Sequence, residues 1–115
     1  MEARHEIIPF DSGSPIKLFT HKLGDVTRHW HESLELLFVL TGAVTVLTGD
    51  TQVTLEQDDM LLINSNVIHE LHSDDCVLIA VQIKLSKFDL PESLLEILYF
   101  DCNSKQPYLR SGLTP

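Results

Sequence analysis

Short apolar segments, each bounded by turn residues, follow one another along most of this chain. The clearest turn is Thr48-Gly49-Asp50-Thr51, which lies between two such segments and predicts a β-hairpin. Short strands at close and regular spacing are typical of an antiparallel sandwich or barrel, and a length of 115 residues fits one domain. The sequence therefore predicts an all-β domain with strands at residues 16–20, 26–31, 35–41, 43–47, 52–55, 60–63, 67–71 and 76–84.

Two flanking segments differ from this pattern. Residues 1–15 form an arm that ends in a turn cluster and contains Ile8 and Phe10, so we expect the arm to pack on the body of the domain. Near the other end, an acidic cap followed by Pro91 in the first turn predicts a helix over 91–100. The apolar face of this helix can cover an edge of the sheet or pair with a second subunit.

The chain is acidic, and its charge is concentrated in one region. It carries 17 acidic and 8 basic side chains, for a formal net charge of −9, and residues 29–83 contain no Lys or Arg. Because phosphates and anionic lipids are bound by clustered basic side chains, the composition argues against nucleic-acid or membrane-surface binding by this chain itself. The sequence shows no signal-peptide pattern, and Cys76 and Cys102 lack a CxxC spacing. We therefore expect a cytoplasmic protein with free thiols.

Three histidines and one glutamate have a spacing that suits a metal site. His29 and His31 lie two residues apart on a predicted strand and therefore share one face, with Trp30 on the other. Glu35 can join them on one wall, and His69 can complete the set from a facing strand. Such nitrogen and oxygen ligands suit Fe(II), Mn(II), Ni(II), Zn(II) or Cu(II) better than Ca(II). Open coordination positions would permit Lewis-acid or redox chemistry.

The same residues resemble the two motifs of the cupin superfamily. The first motif is matched, with one residue fewer than usual after its first glycine, by Gly24, His29, His31, Glu35 and Gly42. Asp59 and His69 match the second motif, which the sequence departs from at Asp58, where Gly is usual, and at Ser65, about where Pro is usual. The resemblance implies a small cupin barrel (a double-stranded β-helix or jelly roll) with a short C-terminal helical element. It also implies that the three histidines and Glu35 are the metal-binding positions, with Zn, Ni, Mn or Fe as candidate metals.

A narrower resemblance covers most of the chain. Residues 29–42, the strand and turn at 60–66, and the segment 100–104 are similar to the sensory domain of AraC-type transcription regulators. This resemblance implies an effector-binding barrel at 16–85, preceded by an arm that can close over the ligand. It implies that 86–115 hold a dimer-forming helix and the start of a linker. It further implies a helix-turn-helix DNA-binding domain, which is absent from this chain and which we expect to follow it.

The resemblance also predicts where a small-molecule effector binds. We expect it to contact the polar set and apolar walls formed by His29, His31, Glu35, His69, Trp30, Phe10 and Ile8. Because 29–83 lack basic side chains, a neutral or cationic, sugar-like metabolite fits better than an anionic one, unless a cation reaches in from Arg4, Lys17, Lys22 or Arg28.

Other interpretations of the same residues stay open. The four polar residues can line a metal-free pocket or have a purely structural role, and Trp30 can pack in the core rather than stack on a sugar. The domain can also be a stand-alone metal-dependent cupin enzyme, such as a dioxygenase or an isomerase, although we expect a sensor with no catalytic residues. A binding module without a regulatory role is the third hypothesis.

Overall fold

Nine β-strands and one short 3₁₀ helix are the regular elements of the residues that the computed structural model describes, namely 3–10, 14–49, 51–88 and 91. The predicted all-β class is confirmed, and each predicted strand occurs. The elements are β1 (Arg4–His5), β2 (Ile16–Leu23), β3 (Val26–Trp30), β4 (Leu34–Gly42), β5 (Val44–Thr48), β6 (Thr51–Leu55), β7 (Met60–Ile63), β8 (His69–His72), β9 (Cys76–Ile83) and the 3₁₀ helix Leu85–Lys87. Apart from Pro91, the predicted helix over 91–100 lies outside the described residues, as does Cys102. No helix among the described residues is long and apolar enough to cross a membrane.

The strands form two sheets. The first sheet has the order β1-β3-β8-β5-β6, and the second has the order β2-β9-β4-β7. Neighbouring strands pair antiparallel, except β1 and β3, which are parallel. From β3 onward the chain passes repeatedly from one sheet to the other, and this connectivity gives the predicted jelly roll.

The inner faces of the two sheets enclose the core. The alternation is clearest on β9, where Cys76, Leu78, Ala80 and Gln82 are buried and the residues between them are half-buried. Burial and, to a smaller extent, the charge of Asp75 raise the pKa of the Cys76 thiol, so the thiol stays protonated in the core. Gln82 is the polar member of this buried series. Core residues from the other strands are Leu37, Val39, Val44, Val46, Leu55, Ile63 and Leu71.

Two turns contain a residue with a positive φ angle. Gly49 has φ +54° in the β5–β6 hairpin, where Thr48 pairs with Thr51 as predicted. Asp58 has φ 68° and thus adopts the left-handed conformation that suits the glycine usual at this position. Asp tolerates this conformation better than most residues do. The Asp59 carboxylate accepts a backbone N–H from the same turn, so the departure from the motif leaves the turn closed.

The N-terminal arm adds a strand to the first sheet. Arg4 pairs with His29 and His5 with Trp30 in the parallel β1–β3 ladder. Beyond β1, the N–H of Glu6 donates to the carbonyl of Trp30 at 2.8 Å. The arm therefore packs on the body, as predicted, beside the strand that carries His29. The boundary between arm and body at residue 15 stays a prediction.

Candidate metal and ligand site

The structure brings the three predicted histidines together. His29 on β3 is the direct partner of His69 on β8, and His31 follows the end of β3. The ring centroids of His29 and His69 are 4.2 Å apart, and those of His31 and His69 are 4.9 Å apart. All three side chains are buried, and one ligand nitrogen from each lies within 4.8 Å of the others. The prediction that His69 comes from a facing strand is therefore wrong. His69 lies on the adjacent strand of the same sheet.

Each of the three imidazole rings is held by a backbone carbonyl. The Nδ1 atoms of His29 and His69 lie 2.8 Å from the carbonyl oxygens of Thr27 and Val67. The Nδ1 atom of His31 lies 3.0 Å from the carbonyl oxygen of Ser33. Because a carbonyl oxygen only accepts, each Nδ1 carries the hydrogen in these bonds. In the neutral rings the free lone pair is therefore on Nε2, as in many metal-binding histidines.

Glu35 reaches the cluster from the second sheet. It lies on β4, and its Oε2 is 2.9 Å from the Nε2 of His31. Both side chains are almost fully buried. Despite this contact, the Nε2 atoms of His31 and His69 have no hydrogen-bond partner of suitable geometry. Two buried ring nitrogens thus lie near a carboxylate without a well-formed hydrogen bond, an arrangement that is costly unless a ligand or a proton satisfies it.

This donor set fits a divalent transition metal. Imidazole nitrogens and a carboxylate oxygen are suitable ligands for zinc, nickel, manganese and iron. The three histidines therefore have the chemistry and spacing needed to hold the ion that the cupin resemblance implies, and Glu35 adjoins this set through His31.

The surroundings shift the pKa values of the cluster residues in different directions. Burial, the largest single effect, raises the pKa of Glu35, but His31, His69 and Gln82 together outweigh it and hold that pKa below its ordinary value. Burial lowers the pKa of His31, but Glu35 and the Ser33 carbonyl outweigh it, so the net shift is upward. The pKa of His69 is lowered, mainly by burial. Glu35 is thus ionised, His69 is neutral near pH 7, and His31 retains a proton to higher pH than a free imidazole.

Ser33 and Gln82 are two residues of the site that the sequence did not predict. The Oγ of Ser33 donates a hydrogen bond to Oε1 of Gln82, and Nε2 of Gln82 donates one to Oε2 of Glu35. Ser33 and Gln82 are both buried. A signal for Gln82 was present in the sequence, since it is a polar residue at an inward position of an otherwise apolar alternating strand. Ser33 gave no such signal.

The predicted apolar walls lie beside this cluster rather than within it. Ile8 and Phe10 line a cavity of about 240 Å³ between the arm and the body, together with His5, Ile7, Glu32, Ser33 and Lys84. Trp30 does not line this cavity. It is half-buried, and its ring stacks on that of His5 with 4.0 Å between centroids, so it is not a member of the core cluster.

Lys84 changes the predicted charge of the ligand region. It lies one residue beyond the segment 29–83 that lacks basic side chains, and it lines the arm cavity. Its Nζ is 5.7 Å from the centroid of the Phe10 ring, within the range of a cation–π contact. Among the described residues, the cavity is thus lined by the ammonium group of Lys84 and the exposed carboxylate of Glu32.

Comparisons with solved structures show the cupin fold. The chain is 20 % identical to a cupin-2 domain protein of Shewanella frigidimarina, over 68 % of this chain and 78 % of that one, with a TM-score of 0.57. It is 27 % identical to protein NMB1881 of Neisseria meningitidis, over 68 % of this chain and 80 % of that one, with a TM-score of 0.56. It is 15 % identical to oxalate decarboxylase of Bacillus subtilis, described with its Mn(II) centres, over 69 % of this chain and 23 % of that one, with a TM-score of 0.56.

The comparison with protein families is more specific. A search of curated proteins gave no match. The model of the AraC-like ligand binding domain, in contrast, matches residues 20–104. This range includes the three histidines, Glu35, Ser33 and Gln82, and it covers most of the chain. The chain therefore belongs to the family of AraC-like ligand binding domains.

Proposed function

We propose that this domain is the effector sensor of an AraC-type transcription regulator, and that its effector occupies the cavity under the arm. The observation that carries the proposal is the position of Ser33, which lines that cavity and also contacts His31. A molecule in the cavity would therefore touch a residue that belongs to the buried histidine cluster. The cavity and the cluster would respond to the ligand as one site.

A sensor of this kind needs a wall that can move, and we propose that the arm is this wall. Ile8 and Phe10 face the cavity from the arm, and β1 pairs directly with the strand that carries His29. A ligand that contacts both the arm and the body binds the closed arrangement better than an open one, and this differential affinity shifts the population. We propose that this shift changes DNA binding by a helix-turn-helix domain that follows this chain. We also propose that the regulator is a homodimer formed through residues after Pro91.

The chemistry of the cavity restricts the ligand. Its volume of about 240 Å³ fits a small metabolite, and its walls combine aliphatic and aromatic carbon with His5, Glu32 and Lys84. The acidic barrel continues to favour a neutral or cationic, sugar-like molecule. Lys84 adds one site where such a ligand can place a hydroxyl or carbonyl oxygen.

Calorimetric titration with a panel of small metabolites tests this proposal. We expect a ligand that binds the parent chain and binds Phe10→Ala at least about tenfold more weakly, because the ring is a wall of the cavity. His72→Ala, an exposed residue outside the cavity, should bind like the parent. Equal affinity of the ligand for the parent and Phe10→Ala, or no ligand and no effect on DNA binding by the longer regulator, would overturn the proposal.

A metal-dependent cupin enzyme is the second candidate function. The observation that favours it is the set of three carbonyl-anchored imidazoles, with one ligand nitrogen from each within 4.8 Å of the others. A divalent ion held there would supply Lewis-acid polarisation of a bound oxygen. Metal analysis of protein purified without chelator tests this candidate. Near-stoichiometric metal would support it, and protein that carries only traces would exclude it.

A further inference from the structure

The buried polar groups behind the histidine cluster form one closed chain. The Nδ1 of His31 lies 3.2 Å from the Oγ of Ser33 and 3.0 Å from its carbonyl oxygen. From Ser33 the chain continues to Gln82 and from Gln82 to Glu35. Oε2 of Glu35 then returns to within 2.9 Å of the Nε2 of His31. All four residues are buried, so solvent does not compete for these contacts.

Chemistry allows only one direction for these hydrogen bonds. The Ser33 carbonyl only accepts, so Nδ1 of His31 carries a hydrogen. The Nε2 of Gln82 donates to Oε2 of Glu35, so the NH₂ group of Gln82 faces the carboxylate. The amide oxygen of Gln82 then faces Ser33 and takes the single hydroxyl hydrogen. With that hydrogen committed, the Ser33 oxygen can only accept from His31.

The strand register places Gln82 where it can do this. Glu35 on β4 and Gln82 on β9 are direct partners in the second sheet, and both point inward. Cross-strand partners have neighbouring Cβ atoms, so a side chain of this length bridges to Glu35 with one end of its amide and to Ser33 with the other. An apolar residue at this position would leave the hydroxyl of Ser33 and one carboxylate oxygen without these partners.

We propose that Gln82 and Ser33 are positioning residues that hold His31 and Glu35 as one rigid pair. The hydrogen bonds from Ser33 to Gln82 and from Gln82 to Glu35, here called the relay, fix the orientation of the Glu35 carboxylate. They also hold the His31 imidazole, whose Nε2 faces that carboxylate. The affinity of the site for a divalent cation therefore depends on residue 82, which contributes no ligand atom. The predicted change in cation affinity rests on the proposed metal site. The hydrogen bonds of Ser33 and Gln82 do not depend on it.

Cobalt(II) titration of the parent and of Gln82→Met and Ser33→Ala tests the relay. Methionine keeps the length of the side chain and removes both polar groups. We expect each variant to bind Co(II) about 10- to 100-fold more weakly, in the range seen when residues that orient metal ligands are replaced. The visible absorption of the bound ion should also change. The control is Leu78→Met, a buried position on the same strand outside the chain of hydrogen bonds.

A second measurement keeps the relay testable without a cation. In cation-free protein, the Nδ1 proton of His31 should be visible by NMR in the parent and in Leu78→Met, and should exchange much faster in Gln82→Met and Ser33→Ala. If the parent protein binds no Co(II), the metal site is overturned. The exchange rate of the His31 Nδ1 proton then tests the positioning role of Ser33 and Gln82 by itself. Variants that match the parent in Co(II) affinity, absorption and proton exchange, and that melt cooperatively, would overturn the relay.

Discussion

His29 and His69 face each other across the β3–β8 ladder, with ring centroids 4.2 Å apart. Their Nδ1 atoms are both bonded to the carbonyl of the residue two positions earlier, Thr27 and Val67. The two strands therefore hold their imidazoles in the same way, and the pair forms a rigid half of the candidate site. His31 and Glu35 supply the other half from outside this ladder.

Replacing either His29 or His69 should greatly weaken divalent cation binding. We expect His69→Ala to lower Ni(II) or Zn(II) affinity by about 100-fold or more, since a ligand matters at least as much as the residues that orient it. His72→Ala is the matched control, because it lies on the same strand and is exposed. Isothermal calorimetry measures both affinities. An equal loss in the two variants would contradict the assignment of His69.

Cation binding should depend on pH through His31. Glu35 and the Ser33 carbonyl outweigh the effect of burial and raise the pKa of His31. Nε2 must lose its proton before it can bind a metal. Affinity should therefore rise with pH until the raised pKa of His31 is passed, and binding below it should release a proton. Calorimetry in buffers of different ionisation enthalpy measures that release.

The same measurement on Glu35→Gln provides a check on the cause. Without the carboxylate, the pKa of His31 should fall, and proton release should be confined to lower pH than in the parent. His69, whose pKa is lowered mainly by burial, should contribute little near pH 7. Cation affinity that does not vary with pH in the parent would contradict this account of His31.

Gly42 should be sensitive to substitution. Its φ is +81°, and a Cβ atom at this position would lie 2.1 Å from the carbonyl oxygen of Asp75. We expect Gly42→Ala to lower the free energy of unfolding by at least about 1–3 kcal/mol, the usual cost of a strained backbone, because the clash adds to the strain. Gly24→Ala is the control, since nothing lies within 4 Å of its added Cβ. Urea denaturation compares the two, and equal stability would contradict the expectation.

His5 should hold the arm in place through Trp30. The two rings are stacked with an interplanar angle of 14°, a contact worth about 0.5–1.5 kcal/mol beyond the buried area. Trp30 is the single tryptophan of the chain, so its fluorescence reports this contact directly. We expect His5→Ala to shift the emission to longer wavelength and to speed proteolysis within the arm. His72→Ala should leave both unchanged, and an unaltered spectrum in His5→Ala would contradict the role of the stack.

Much of the fold could be predicted because it is encoded locally. Alternating apolar residues on β9, the Gly49 turn of the β5–β6 hairpin and the shared face of His29 and His31 all depend on neighbours in sequence. The period of two along a strand converts such patterns directly into buried and exposed faces. The four candidate ligands were found because they match the two cupin motifs, and only His29, His31 and Glu35 are close to one another in sequence.

Tertiary structure alone decided how these pieces meet. The facing of Glu35 and Gln82 depends on the order of β4 and β9 in the second sheet, and the cavity that joins Phe10 to Lys84 depends on the path of the arm. Neither order nor path follows from alternation, because each strand shows only which of its faces is inward and not which strand lies beside it. The sequence by itself therefore determined the strands and the ligand-capable residues. The adjacency of His69 to His29, and the buried link from Glu35 through Gln82 to Ser33, were determined by strand pairing across residues distant in sequence.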